Sequence, residues 1–210
     1  MKDQEKIRGS IMSAASVLFE KYGYEKTSMD EIASASRKAK ATIYYYFRNK
    51  LEIFRAVLEQ EMQKVIGNQR QVITAITDTN AQIAQYLKSR MDIIREAKVY
   101  RHYIMSAYVE GTGEVKEAVM HAREILDEWE SRYFTGICTK GRELGILSED
   151  VKPDAFAMSM LALLKGLEIQ FINYEDAEAM RSTYNAMVEI LVTNNFNKEP
   201  SPASSSGQKS

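Results

Sequence analysis

The segment 27–50, TSMDEIASASRKAKATIYYYFRNK, constrains the fold of this chain more than any other stretch. Ser28 and Glu31 have the S-x-x-E spacing of a capping box. In that arrangement the Ser hydroxyl accepts the amide at the third helical position, and the Glu carboxylate accepts the Ser amide. The apolar residues Ile32, Ala33 and Ala35 then give a short helix its buried side. A helix is therefore predicted to begin directly after Ser28.

A second short helix is predicted beyond the polar interruption at 36–39. Ile43 and Phe47 are four residues apart, which places both on one helical face. Asn49 has the residue type of an N-cap, with Glu52 at the third position, so a further helix begins there. Two short helices joined by a tight turn form the helix-turn-helix layout, whose second helix lies in the major groove of DNA.

The charges of this segment agree with that layout. No acid lies between Glu31 and Glu52, and Tyr44, Tyr45 and Tyr46 fall consecutively on the second helix. The basic residues in the interval are Arg37, Lys38, Lys40, Arg48 and Lys50. Taken alone, a basic and aromatic stretch is also compatible with a solvated helix face. Combined with the capping box and the paired helices, it indicates a DNA-reading unit.

Charge is distributed unevenly along the 210 residues, although the formal net charge is only -1 and 45% of the residues are hydrophobic. Residues 1–58 hold eleven basic and seven acidic side chains, a balance of +4, which leaves 17 basic and 22 acidic side chains, or −5, for the rest. A basic N-terminal head (residues 1–58) followed by an acidic body (the remaining residues) is expected of a protein that binds phosphate with one end.

The run from Ile7 to about Val57 resembles the N-terminal domain of the TetR family of bacterial transcriptional regulators. The resemblance rests on LFEKYGYEKTSMDEIA, on ATIYYYFRNKLEIFRAVL, and on the Thr-x-Tyr-x-x-Phe-x-x-Lys spacing that ends at Lys50. The chain departs from the family in the turn, where Ser36-Arg37-Lys38-Ala39 replaces Ala-Gly-Val-Ser. A Gly there eases a left-handed backbone, so the geometry or the packing of this turn is expected to differ.

The resemblance implies roles for individual residues of the head. Phosphates are expected at Thr27, Ser28, Tyr44, Tyr45 and Lys50. Bases are expected to face Lys40, Ala41, Thr42 and Tyr46, and Lys38 suits either role. In physical terms, Thr and Ala in the groove can touch a thymine methyl group, and Lys50 adds charge to a helix N-terminus already suited to a phosphate.

The remaining chain has a helical pattern throughout, which predicts an all-α fold of about nine helices. Helices are predicted for 3–22, from 50 onward, and over 79–97, 99–110, 114–143, 153–173 and 176–195. The predicted organisation is a three-helix helix-turn-helix domain at 1–50, a larger helical ligand-binding and dimerisation domain at 51–196, and a disordered Pro- and Ser-rich tail at 197–210.

The sequence offers no catalytic constellation, so an enzyme is not expected. His102 and His121 lie in separate helical patterns without a paired nucleophile and carboxylate, and neither has a His or Cys four residues on. Neither a metal nor another cofactor is predicted. The lone Cys138, the polar N-terminus and the lack of a long apolar run favour a soluble protein of the reducing cytoplasm, without a membrane segment.

Two further functions are expected of the body. Its many Met and aromatic residues suit an irregular ligand cavity, although such residues more often form plain core. Arg101, His102 and Arg123 are candidate polar contacts for a small-molecule effector.

The last two helices carry wide apolar faces, which the resemblance assigns to a four-helix homodimer interface, with burial inside one protomer as the alternative. The interface candidates are Phe156, Met160, Leu164, Leu167, Phe171, Tyr184, Met187, Val188 and Leu191.

The combined prediction is a ligand-responsive regulator that binds double-stranded DNA at a palindromic operator as a homodimer. Repression is adopted because it is the family's commonest mode. One alternative is a helical ligand-binding or adaptor protein that has lost sequence-specific DNA reading. The unusual turn at 36–39 is the observation that suggests this alternative. An enzyme on a helical scaffold is a weaker alternative.

Overall fold

A computed structural model describes residues 2–109, 113–173 and 177–196 of the chain. Within these ranges the chain forms nine α-helices and no β-strand, which confirms the predicted all-α fold. The helices are α1 (Lys2–Tyr22), α2 (Met29–Ser36), α3 (Lys40–Tyr46), α4 (Lys50–Thr74), α5 (Thr79–Arg95), α6 (Lys98–Val109), α7 (Glu114–Glu143), α8 (Pro153–Asn173) and α9 (Ala177–Phe196). The tail predicted at 197–210 lies outside the described residues.

Local chemistry sets several of the helix ends. Gly23 follows α1 with a φ of 84°, and Gly145 follows α7 with a φ of 70°. Glycine adopts this left-handed conformation without the Cβ clash that other residues meet, which is why it commonly ends helices. Pro153 is the first residue of α8, where its missing amide leaves no helical hydrogen bond unmade.

The chain divides into two compact units. The N-terminal unit comprises Met1–Gln71 and Met91–Trp129, and the C-terminal unit comprises Val72–Arg90 and Glu130–Ser210. This division by contacts does not follow the predicted functional boundary after residue 50, which stays a prediction.

In the N-terminal unit, α1 packs against α2 and α6, and α2 packs against α3. An aromatic cluster packs against the first turn, which joins α1 to α2. The Phe54 ring lies 5.2 Å from the Phe19 ring, 5.0 Å from the Tyr24 ring and 5.1 Å from the Tyr103 ring, measured between centroids. The buried side of α2 is formed by Ile32, Ala33 and Ser36, whereas the predicted core residue Ala35 is exposed.

The C-terminal unit contains a fully buried charged cluster. The Arg90 guanidinium pairs with Glu130 of α7 and, at 2.9 Å, with Glu168 of α8. The Tyr86 hydroxyl donates to Glu130 at 2.6 Å, and burial is the main cause that raises the pKa of Tyr86. Buried charges need such partners, because leaving one of them alone in the interior is strongly destabilising.

The residues predicted for the dimer interface separate into two groups. Leu164, Phe171, Tyr184 and Val188 are buried within the protomer, where the Phe171 and Tyr184 rings meet edge to face at 5.2 Å. Phe156, Met160, Leu167 and Met187 are partly exposed, and the side chain of Leu191 lies outside the described residues. The side chains of the first group are therefore covered within the protomer, whereas those of Phe156, Met160, Leu167 and Met187 remain partly accessible.

The outward face of α8 is built from small or uncharged residues. Met158 is 73% exposed, and Ala155, Ser159, Ala162 and Gly166 are exposed beside it. On α9, Ile190 is 61% exposed. No helix within the described ranges has the length and apolar character required to span a membrane.

Candidate nucleic-acid interface

The start of α2 is fixed by the predicted capping box. The Ser28 amide donates to the Glu31 carboxylate at 2.7 Å, and the Glu31 amide donates to the Ser28 hydroxyl oxygen at 3.2 Å. The bond from the Ser28 amide is the first cause that holds the pKa of Glu31 below its ordinary value. The Ser28 hydroxyl also donates to Glu31 at 2.8 Å, so its single proton is used within the protein.

Thr27, another predicted phosphate contact, is only 3% exposed. Its hydroxyl donates to the Gly23 carbonyl at 2.8 Å, and its amide donates to the Tyr24 carbonyl at 3.2 Å. Because a phosphate offers only acceptors, Thr27 would have to break one of these bonds to donate to it. In this geometry Thr27 and Ser28 position the start of α2.

The turn between α2 and α3 contains a left-handed residue. Arg37 has φ 54° and ψ 42°, and no other described non-glycine residue has a positive φ. The amides of Arg37 and Lys38 donate back to the carbonyls of Ser34 and Ala33, at 3.1 and 3.0 Å. These bonds close α2 in the manner of a Schellman motif. The turn therefore has the left-handed geometry that a glycine would favour, although Arg37 occupies the position.

The second helix of the motif, α3, is held by two buried residues and exposes most of the others. Ile43 is 0% and Phe47 1% exposed, as their spacing predicted. Of the residues predicted to meet DNA, Lys40, Ala41, Tyr44 and Tyr45 are exposed, whereas Lys38, Thr42 and Tyr46 are partly exposed. The Tyr45 and Tyr46 rings meet edge to face at 5.0 Å. The structure thus brings these predicted residues onto a single helix and its turn.

Lys40, the first residue of α3, forms an ion pair across the motif. Its Nζ lies 2.7 Å from Oδ1 of Asp30 on α2, and both side chains are exposed. The hydrogen bond and charge of Asp30 raise the pKa of Lys40. Asp30 is not among the residues that the sequence predicted to contact DNA.

Lys50, at the start of α4, is held against the first turn. Its Nζ donates to the Tyr24 carbonyl at 2.7 Å and lies 4.1 Å from the centroid of the Tyr24 ring. A lysine ammonium has three donors, so this bond leaves two for a phosphate. The Asn49 side chain accepts the Glu52 amide at 2.8 Å, which confirms the predicted N-cap of α4.

Helix α6 is joined to this region by contacts that the sequence analysis missed. The Tyr103 hydroxyl accepts the Tyr24 amide. The Glu61 carboxylate of α4 accepts the amides of Val99 and Tyr100, at 3.1 and 2.8 Å, at the start of α6. Desolvation raises the pKa of Glu61, opposed by these two bonds. Because the partners are 38 residues or more apart, no local spacing signals them.

The three predicted effector contacts lie in the N-terminal unit. Arg123 is buried, donates to Asp127 at 2.7 Å and lies 3.4 Å from the Tyr100 hydroxyl. Arg101 is partly exposed, and the exposed His102 ring meets Tyr103 edge to face. A cavity of about 280 Å³ in the same unit has a different lining, mostly polar, from α1, α4 and the α5–α6 junction. None of the three residues lines this cavity.

Two short helices, a closed turn and an exposed second helix flanked by basic residues together define a helix-turn-helix DNA-binding domain. Residues 11–57 match the family described as bacterial regulatory proteins, tetR family. Residues 11–57 therefore match the N-terminal domain that the sequence indicated.

Individual relatives agree with this assignment. The chain is 31% identical over 103 residues to the HTH-type transcriptional activator FasR of Mycolicibacterium smegmatis, covering 49% of this chain and 47% of that protein. It is 38% identical over 61 residues to the HTH-type transcriptional repressor SCO4008 of Streptomyces coelicolor, covering 29% of this chain and 32% of that protein. The chain thus spans less than half the length of these two relatives.

The likeness to solved structures extends over nearly the whole chain. The regulator FadR from Bacillus subtilis, in complex with stearoyl-CoA, superposes with a TM-score of 0.67 at 17% identity, covering 88% of this chain and 97% of that one. At this identity the superposition shows a common fold, including the helical body beyond the DNA-binding domain.

Replacing the left-handed Arg37 tests the turn directly. We expect Arg37→Gly to raise the free energy of unfolding by about 0.5–1 kcal/mol, because glycine removes the Cβ clash but loses more entropy on folding. Urea denaturation measures the change. The matched control is Arg37→Ala, which removes the same charge but keeps the Cβ and should give no gain. Equal stability of the two variants would contradict this account of the turn.

Proposed function

We propose that this protein is a cytoplasmic transcriptional regulator that binds a palindromic DNA operator as a homodimer. The observation that carries the proposal is the presentation of α3. Its buried Ile43 and Phe47 fix the helix, while Lys40, Ala41, Tyr44 and Tyr45 are exposed among basic residues. One such helix discriminates few base pairs, and two related by a two-fold axis read both halves of a palindrome.

A small-molecule effector and a repressive output form part of the same proposal. The family domain occurs both in an activator and in a repressor, so repression rests on the family's usual mode. Bacillus subtilis FadR, which shares this fold, forms a complex with stearoyl-CoA, which supports a ligand for this protein as well. An effector would lower operator affinity here by the difference between its affinities for the two conformations.

The function is tested by selecting bound duplexes from a random DNA pool with purified protein at near-physiological salt. We expect a palindromic consensus with half-sites ~34–36 Å apart, or a multiple of that distance. A pool that stays random, with binding that disappears steeply as salt rises, would indicate phosphate contact without readout. That result would contradict the proposal and favour the adaptor alternative.

The proposed roles of Lys50 and Thr42 can be separated by their salt and sequence dependence. We expect Lys50→Met to weaken operator and random DNA alike, and to reduce the salt slope by ~1, because it removes one phosphate contact. Thr42→Ala should instead change the selected base at one position, because it removes a groove contact. Binding titrations on both DNAs at several salt concentrations measure these effects. Similar changes on both DNAs for both variants would refute the assignment.

The proposed dimer uses the outward faces of α8 and α9. Leu164, Phe171, Tyr184 and Val188 fill the inside of the C-terminal unit, so they support the face from behind. Met158 and Ile190 remain exposed, and the small residues beside Met158 permit close approach of another helix. An exposed apolar face of this kind commonly marks an interaction site.

A charge on this face should separate the protomers. We expect Met158→Glu and Ile190→Glu to convert a dimer into a monomer, because each places an unpaired carboxylate in an apolar contact. Sedimentation velocity measures the mass, and binding to a palindrome should fall further than binding to a half-site. Leu144→Glu, at a residue that is 59% exposed after α7, is the matched control and should remain dimeric. Dimeric Glu variants would place the interface elsewhere.

A further inference from the structure

The acids that border the DNA-reading segment are used in different ways. The Glu31 carboxylate accepts the Ser28 amide, and the Glu52 carboxylate accepts the Arg48 amide at 2.7 Å. Asp30 instead pairs with Lys40, the first residue of α3, at 2.7 Å. Its carboxylate is 67% exposed and the lysine 58%. Asp30 therefore places a negative charge at the end of the helix that is proposed to enter the groove.

We propose that Asp30 is a specificity-determining residue, which directs the Lys40 ammonium to base edges and away from phosphates. The inference rests on the proposed DNA-binding function and deepens it. Asp30 acts through Lys40, so it is a positioning residue for the base contact.

The ammonium of Lys40 has a limited number of hydrogen-bond donors. Lys40 has three donors, and Asp30 accepts one of them. Two remain, which can meet the O6 and N7 acceptors of a guanine in the major groove. A phosphate contact does not depend on the base sequence, since phosphates lie along any DNA. The carboxylate limits the directions in which Lys40 can donate.

The pairing also alters binding to random DNA. Each lysine that neutralises a phosphate releases condensed counterions and favours binding to every sequence. A lysine already neutralised by Asp30 contributes little of this attraction. Because an exposed ion pair is weak, its removal should change affinity by about two- to five-fold. The pair therefore disfavours non-specific complexes more than the operator complex.

The test compares Asp30→Asn with wild type on the operator and on random duplexes, at several salt concentrations. We expect affinity for random DNA to rise about two- to five-fold and its salt slope to steepen by about one. Operator affinity should rise less, so the specificity ratio falls. Glu20→Gln is the matched control, because Glu20 of α1 forms a comparably exposed pair with Lys98 of α6 at 3.2 Å.

A second comparison shows whether Asp30 acts through Lys40. In a Lys40→Met background, Asp30→Asn should leave binding to random DNA unchanged. A rise that persists there would mean that the carboxylate simply repels phosphates, and would overturn the proposal. An effect equal to that of Glu20→Gln would overturn it as well. If wild type shows no operator preference, the proposed function itself fails, which is a separate result.

Discussion

The geometry of the DNA-binding head depends on the packing around Phe54. Its ring contacts Phe19 of α1, Tyr24 of the first turn and Tyr103 of α6. Tyr24 is bonded on both sides, since its amide donates to the Tyr103 hydroxyl and its carbonyl accepts the Lys50 ammonium. A displacement of this turn would therefore move the start of α4 and the approach to α2 together.

Hydrogen bonding separates the residues predicted to contact DNA into those whose side chains are bonded within the head and those whose side chains stay exposed. Thr27 and Ser28 spend their hydroxyl protons on Gly23 and Glu31. Among the exposed side chains of α3, Lys40 is paired with Asp30, whereas the others form no such hydrogen bond within the described residues of the head. A family pattern that lists these residues together cannot distinguish the two groups, because the distinction depends on the direction of each donor.

The predictions from sequence succeeded where a short stretch of chain carries the physical cause. The capping box at Ser28 and Glu31 and the buried pair Ile43 and Phe47 are confirmed, because i to i+3 and i+4 spacings act within one helix. Ala35 was wrongly placed in the core of α2, where Ser36 is buried instead. The apolar residues of α8 and α9 were predicted to form a dimer interface, but periodicity could not say whether the protomer or a partner covers each one.

The sequence by itself determined the all-α class, the helix-turn-helix and the excess of basic charge on the head, because composition, capping and helical periodicity are local properties. Only the tertiary structure decided that Asp30 pairs with Lys40, that Glu61 caps α6 and that Arg90 joins Glu130 to Glu168. It also decided that Leu164 and Val188 face inward while Met158 and Ile190 face solvent. These contacts join residues on different helices, and their partners are selected by the packing of the whole chain.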